Sequence, residues 1–147
     1  MSGGNQERVR PLFPFPRSAR LLQHAAFDRV YREGRRIFSG NLTVFVRRRQ
    51  DEIPAEGSRV GFTVSRALGG AVQRNRMKRR LREATRRHLA LLTSPVDVVI
   101  NPKKSLLTAE FTQILDEIER AFNQIRRGNL GTENRSRTEG GKSMSNR

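Results

Sequence analysis

The densest run of side chains that could do chemistry is a basic segment between Arg74 and Arg82. Guanidinium groups grip phosphate through paired hydrogen bonds and stack on bases. On one helix, at about 100° per residue, these cations would cover most of the circumference. Glu83 is the only acid between Arg59 and Leu92, and cations without acids to pair them repel one another. The segment therefore predicts a polyanion-binding surface formed by Arg74, Asn75, Arg76, Lys78, Arg79 and Arg82.

A second candidate is an aromatic groove around Phe45. Phe45 falls on the polar side of an alternating strand, where we expect small neighbours: Gly61, Thr63 and Ser65. A ring among small residues forms a shallow groove in which a base could stack. Phe27 and Tyr31 would border that groove if the preceding helix packs along it. The residues leave two alternatives open, namely that Phe27 and Tyr31 are core residues of an amphipathic helix and that this helix covers Phe45.

The other reactive side chains form no catalytic set and no metal site. Ser65 has no evident base, the acids are scattered, and there is no cysteine. His24 and His88 lack the spacing of metal ligands. We expect no catalytic residue in the protein itself, and we assign no metal ligand, because the scattered acids could meet only in space and give no spacing from which to argue a site. A protein-only nuclease is disfavoured, since it would need clustered acids or a nucleophile with its base.

The charge of the chain narrows the class of partner. The 147 residues include 30 Lys+Arg against 14 Asp+Glu, for a formal net charge of +16. Such an excess indicates a polyanionic partner, and the predominance of Arg favours nucleic acid over an anionic membrane. No apolar run approaches the length of a membrane span, and the N-terminus lacks the apolar region of a signal peptide. We expect a cytoplasmic protein with no membrane partner.

The first half of the chain predicts one helix and two strands. Three prolines make residues 1–16 a flexible arm. A helix over 25–33 precedes strands over 42–47 and 59–65, which alternate apolar and polar residues. The loop over 50–58 joins these strands, and we expect them to form an antiparallel hairpin with one apolar face.

The second half predicts two further helices and a strand. Gly69 and Gly70 form a turn before a helix over 72–92, whose apolar stripe includes Met77 and Leu81. An apolar strand over 96–100 follows, and a last helix begins near Thr108 as its N-cap. We expect a single α+β domain over 17–127, with helices packed on a small mixed sheet, and a disordered tail over 128–147.

The stretch RVGFTVSRALGGAVQRNRMKRRLREATR, from Arg59 to Arg86, closely resembles the signature of bacterial ribonuclease P protein subunits. The core of the match is Arg74-Asn75-Arg76 with Lys78 and Arg79, at the family spacing after the strand and the Gly-rich turn. FPRSARLL, AFDRVYREG, the strand with Phe45 and DVVI agree in order, so the resemblance covers about residues 15–125. Ala67, where relatives often carry a basic residue, and Asn101-Pro102 depart from it.

The resemblance implies a fold and a function. The fold would be like the second domain of ribosomal protein S5, with a left-handed βαβ crossover. The partners would be a large catalytic RNA and precursor tRNA, whose 5′ leader is removed with Mg²⁺ held mainly by the RNA. The Arg-Asn-Arg helix would face the catalytic RNA. The leader would lie in a cleft, to which we assign Phe27, Tyr31, Phe45, Arg59, Thr63 and Ser65.

Two rivals remain from the sequence. A structural or ribosomal RNA-binding protein would share the charge but would have no role in cleavage. A DNA-binding module would need base readers on the basic helix, which offers only the amides of Gln73 and Asn75. We therefore expect no DNA partner.

Overall fold

The computed structural model describes residues 17–49 and 57–128, together with the pair 132–133. The predicted arm over 1–16, most of the loop over 50–58 and most of the predicted tail lie outside these residues. Within them, three α-helices pack on one mixed sheet, which is the expected α+β class.

The sheet has five strands, which we number along the chain. They are β1 (Arg35–Phe38), β2 (Leu42–Arg48), β3 (Arg59–Phe62), β4 (Val96–Pro102) and β5 (Thr132–Glu133). Their order across the sheet is β3-β4-β2-β1-β5. Only β3 and β4 are parallel, and the other neighbours are antiparallel. β4 is buried on both faces because it lies inside the sheet with helices above and below.

The helices divide between the two faces of the sheet. α2 (Ala71–His88) and α3 (Phe111–Arg126) cover one face, where Met77, Leu81 and Phe122 pack with alternate residues of the strands. α1 (His24–Glu33) lies on the other face over a smaller apolar cluster that contains Val30 and Val99. We call these the α2–α3 face and the α1 face. Only the α2–α3 face carries a large, fully buried core.

The predicted hairpin between the strands over 42–47 and 59–65 is wrong. β4 lies between β2 and β3 and bonds to both. The chain leaves β3, crosses the α2–α3 face as α2, and returns as β4 parallel to β3. Six of the seven residues of β4 are buried, and a strand covered on both faces is accommodated inside a sheet rather than at its edge. β4 therefore lies between β2 and β3, although the short loop between those two strands would allow them to pair directly.

β1 is absent from the sequence prediction because only Ile37 of its four residues enters the core. The turn after it is anchored from α3. The Glu117 carboxylate accepts hydrogen bonds from Ser39 Oγ at 2.8 Å and from the backbone N–H of Asn41 at 2.9 Å. A contact across 76 residues of sequence leaves no local pattern. β1 therefore forms through tertiary contacts.

The predicted helix boundaries need smaller corrections. α2 ends at His88 and continues as the 3₁₀ turn Leu89–Leu91. The last helix has Glu110, not Thr108, as its N-cap, because the 3₁₀ turn Lys104–Leu107 occupies the preceding chain. The Glu110 backbone N–H donates to Gln113 Oε1 at 3.3 Å, which gives the true start of α3 a capping partner.

Candidate nucleic-acid interface

The outer side of α2 is a cationic surface. Asn75, Arg76, Arg79 and Arg82 are exposed and fall within an arc of about 120° opposite Met77 and Leu81. None of the four side chains makes a hydrogen bond or ion pair with the part of the chain that the structure describes. We call these four residues the α2 arc. Their charge is available to an outside partner.

The two flanks of α2 differ from the arc. On one flank, Arg74 Nε donates to the Gly69 carbonyl at 3.1 Å, which ties the helix to the turn before it. Lys78, half-buried on the same side, faces the groove beside α1. The predicted RNA-binding set is therefore split into an exposed arc and an inner flank, Arg74 and Lys78.

On the other flank, Arg80 is hydrogen-bonded within the fold, although the sequence placed it among the cations that have no acid to pair with. Arg80 donates to the carbonyls of Leu106 at 2.8 Å and Leu107 at 2.9 Å, and also to that of Ala109. Burial, and secondly the charge of Arg76, lower the pKa of Arg80 from its ordinary value. Arg80 thus fastens α2 to the segment before α3 and is a structural residue.

The last turns of α2 also hold paired charge. Arg86 and Arg87 donate to the Glu83 carboxylate at 2.5 Å and 2.9 Å. Hydrogen bonds from Arg86, and more weakly from Arg87, hold the pKa of Glu83 below its usual value, against the partial burial that raises it. Arg87 also lies 5.3 Å from the centroid of the Phe111 ring. The free cations of α2 are thus confined to the arc and to Lys78.

A groove of about 470 Å³ runs between α1 and the end of β3. Phe27, Tyr31, Thr63 and Lys78 line it, so the structure brings together three predicted leader-binding residues and one predicted RNA-binding residue. The Phe27 ring sits over Gly61, where a Cβ would lie 2.5 Å from a ring carbon. Gly61 therefore makes room for the ring, and Phe27 packs against the sheet while bordering the groove.

Tyr31 and Phe45 form a pair beside the groove. The Tyr31 hydroxyl lies 2.8 Å from Thr63 Oγ1 and 3.1 Å from Asn101 Oδ1. Its ring meets Phe45 edge to face, with centroids 4.9 Å apart. Phe45 is half-buried and lies beside Val99, because β4 separates it from Gly61 and Thr63. The expected groove of small residues around Phe45 is therefore wrong, and α1 covers Phe45 in part.

Arg59 and Ser65 lie outside the groove. Arg59 donates to both carboxylate oxygens of Asp97, at 2.9 and 2.8 Å. Asp97 is 1% exposed and also lies near Arg47 at 3.7 Å and Arg49 at 3.5 Å. We call these four residues the Asp97 cluster. Ser65 is exposed, and its Oγ accepts the backbone N–H of Ala67 at the start of the 3₁₀ turn Arg66–Leu68.

Asn101 and Asp97 are the residues that sequence reasoning missed. Both stand at alternate positions of β4 with Val99, on the α1 face. A lone acid inside an apolar strand of an Arg-rich chain was the available signal for Asp97. Among residues 17–49 and 57–128, no three His, Asp or Glu side chains gather as metal ligands would. No helix in these residues is long and apolar enough to cross a membrane.

Comparison with known proteins gives a consistent result. A sequence model of the family described as Ribonuclease P matches residues 15–126. The chain is 42% identical over 111 residues to the Ribonuclease P protein component of Chloroflexus aurantiacus, covering 74% of this chain and 78% of that protein. For the component from Finegoldia magna the identity is 33% over 98 residues, covering 67% and 82%. The solved RNase P protein from Thermotoga maritima matches with a TM-score of 0.57 at 28% identity, covering 69% of this chain and 96% of that one.

Proposed function

Since the chain belongs to the ribonuclease P protein family, and so is the protein subunit of that tRNA-processing ribonuclease, we propose that it contacts two RNA molecules at once. One is the ribonuclease P RNA subunit, which carries the catalysis. The other is precursor tRNA, whose 5′ leader is removed by hydrolysis to give the mature 5′ end. The rival function, structural RNA binding without a role in cleavage, loses support because the matched family is that of the ribonuclease.

The α2 arc is the surface we assign to the RNA subunit. Its three arginines are exposed, and none is neutralised by an acid in the described part of the chain. Each phosphate that such a side chain neutralises releases condensed counterions, which favours binding at low salt. The outward direction of Asn75, Arg76, Arg79 and Arg82 is the observation that carries this assignment.

The groove beside α1 is the site we assign to the leader. Phe27 and Tyr31 offer aromatic surface, Thr63 offers a hydroxyl, and Lys78 offers a cation for a phosphate. Aromatic rings stack on any base, so this combination suits a single strand whose sequence varies among substrates. Lys78 lies between the groove and the α2 arc, which would place leader and RNA subunit on adjoining surfaces.

We assign the Mg²⁺ of the reaction mainly to the RNA subunit. In the part of the chain that the structure describes, the buried carboxylates are already engaged, Asp97 by Arg59 and Glu117 by Ser39 and Asn41. They do not fit a hard cation, which needs oxygen ligands free of such partners. The protein's part would be to reduce repulsion between two polyanions and to hold the leader. We place the enzyme in the cytoplasm, with neither membrane nor DNA as a partner.

The test is cleavage of precursor tRNA by the protein alone, by a bacterial ribonuclease P RNA alone, and by both, across a Mg²⁺ titration. We expect no cleavage by the protein alone, and faster cleavage by the pair than by the RNA alone at low Mg²⁺. A polylysine of similar charge is the control for non-specific screening. Mg²⁺-dependent cleavage by RNA-free protein would contradict the assignment of catalysis to the RNA.

A further inference from the structure

Phe38 is a large apolar side chain on the surface of the sheet. It is 59% exposed, and the pairing of β1 with β5 ends at Arg36, two residues before Phe38. The guanidinium carbon of Arg36 lies 5.1 Å from the centroid of the Phe38 ring. Residues two apart on a strand share a face, and Arg36 pairs with Phe45. Arg36 and Phe38 therefore lie on the α1 face, beyond the part that α1 covers.

A row of small polar side chains connects Phe38 with the groove. Phe38 pairs with Thr43 on β2, and Thr43 pairs with Asn101 on β4. Thr63 continues the row past the end of β3, and the Tyr31 hydroxyl lies within 3.1 Å of both Asn101 Oδ1 and Thr63 Oγ1. With strands about 4.8 Å apart, the row spans about 14 Å. It begins in the groove and ends at Phe38.

The chemistry of this row fits an extended RNA strand. Thr43, Thr63 and Asn101 are half-buried hydroxyl and amide side chains, which can donate to or accept from bases and sugars. The row contains no acid that would repel phosphate. At its end, Arg36 provides a cation and Phe38 a ring on which any base can stack.

A partner protein fits the same surface poorly. Docking of an apolar partner needs a contiguous apolar patch of a few hundred Å². The large apolar side chains exposed in the described residues are Leu22, Phe38 and Val72. Leu22 borders the groove and Val72 lies on α2, so neither adjoins Phe38. An isolated ring beside an arginine suits a nucleotide better.

We propose that the row extends the leader groove across the sheet, and that Phe38 and Arg36 form a second stacking platform for a nucleotide that only longer leaders supply. This inference rests on the proposed function, because it assumes that the groove at Phe27 and Tyr31 holds the leader. It adds a defined length to the site and assigns a binding role to Phe38 and Arg36.

The test uses the enzyme assembled from this chain and a bacterial ribonuclease P RNA, with precursor tRNAs whose leaders range from one to about ten nucleotides. Phe38→Ala and Phe38→Leu should lower affinity about tenfold for the longer leaders and leave one-nucleotide leaders unaffected. Phe38→Tyr keeps the ring and should bind as the parent does. Arg36→Gln should show the same leader dependence, whereas Arg120→Gln, a matched charge loss on α3, should not.

Phe27→Ala separates failure of this inference from failure of the proposed function. If Phe27→Ala shows leader dependence and Phe38→Ala shows none, the second platform is wrong and the groove assignment stands. If neither variant depends on the leader, the groove assignment itself is wrong. An equal loss with Phe38→Ala at every leader length would also overturn the inference, because the ring would then serve the fold, a terminal segment of the chain or the RNA subunit.

Discussion

Two groups of arginines lie on opposite faces of the sheet, and they differ in what they contact. In the α2 arc, Arg76, Arg79 and Arg82 are exposed and have no ionic partner in the described chain. In the Asp97 cluster, three arginines surround one buried carboxylate. Arg47 and Arg49 are themselves buried there. A count of basic residues cannot distinguish the two groups.

The difference shows where positive charge is available for RNA. A buried charge is tolerated only when it is paired and hydrogen-bonded, so the Asp97 cluster contributes to the fold. An exposed arginine is solvated in the free protein, and when it neutralises a phosphate it releases condensed counterions from the RNA. We therefore expect substitutions in the Asp97 cluster to change stability, and substitutions in the α2 arc to change RNA affinity.

The largest expected effect is the loss of stability in Asp97→Asn. This change leaves three neighbouring guanidinium groups without their shared carboxylate, which we expect to lower the free energy of unfolding by about 3–5 kcal/mol. Urea denaturation followed by circular dichroism measures it. Glu33→Gln is the control, because Glu33 also bonds Arg47, at 2.9 Å, but is 49% exposed and should contribute less than about 1 kcal/mol. Equal losses in the two variants would mean that the buried Asp97 carboxylate contributes no more than an exposed one, which would contradict the structural role assigned to the Asp97 cluster.

The second effect is on the salt dependence of RNA binding. Changing Arg76, Arg79 and Arg82 together to Gln should reduce the slope of log affinity against log salt by about 2 to 3. At 0.1 M salt this corresponds to a loss of about a hundredfold or more in affinity for the RNA subunit. The matched control changes Arg120, Arg126 and Arg127 of α3 and its end. The same slope change in both triple variants would mean that net charge, and not the α2 arc, determines binding.

The third effect concerns Phe45, which lies on the same face of the sheet as the Asp97 cluster. If its ring supports a leader base, Phe45→Ala should weaken binding of long-leader substrates by about 1–3 kcal/mol. One-nucleotide leaders should be bound equally by parent and variant. Partial burial against Tyr31 predicts a moderate loss of stability. A loss of about 3–5 kcal/mol in unfolding free energy without leader dependence would instead identify Phe45 as a core residue.

The smallest effect is the pH dependence that Glu83 adds to folding. Its pKa is lowered in the fold, so its contribution is complete above the unfolded pKa and is lost as pH falls through the folded pKa. Glu83 is 37% exposed, and we expect only a few tenths of a kcal/mol. Comparison of denaturant midpoints between pH 7 and pH 3 should show a smaller fall for Glu83→Gln than for the parent. Identical falls would show that Glu83 does not contribute.

Local sequence patterns predicted most of the helices and strands, and they predicted the α2 arc of the candidate interface. The 3.6-residue period identified α2 and its exposed cations, and the alternation around Phe45 identified β2, because both depend on neighbours in sequence. Strand order, the pairing of Arg59 with Asp97 and the position of Asn101 depend on contacts across many residues. Because the sequence does not show that Arg59 contacts Asp97, Arg59 was assigned to the leader site, whereas in the structure it belongs to the Asp97 cluster.

The position of β4 has a consequence for folding during synthesis. β4 leaves the ribosome after β2 and β3, yet it pairs with both, Leu42 with Pro102 and Arg59 with Asp97. Until it emerges, β2 has one unpaired edge and β3 lacks its neighbour, and unpaired edges promote aggregation. Long-range pairing also slows folding, because loop closure precedes the contacts that reward it. The nascent chain therefore passes through a stage in which its sheet lacks an inner strand, and substitutions in Val96–Pro102 should reduce soluble yield more than their effect on the finished fold would suggest.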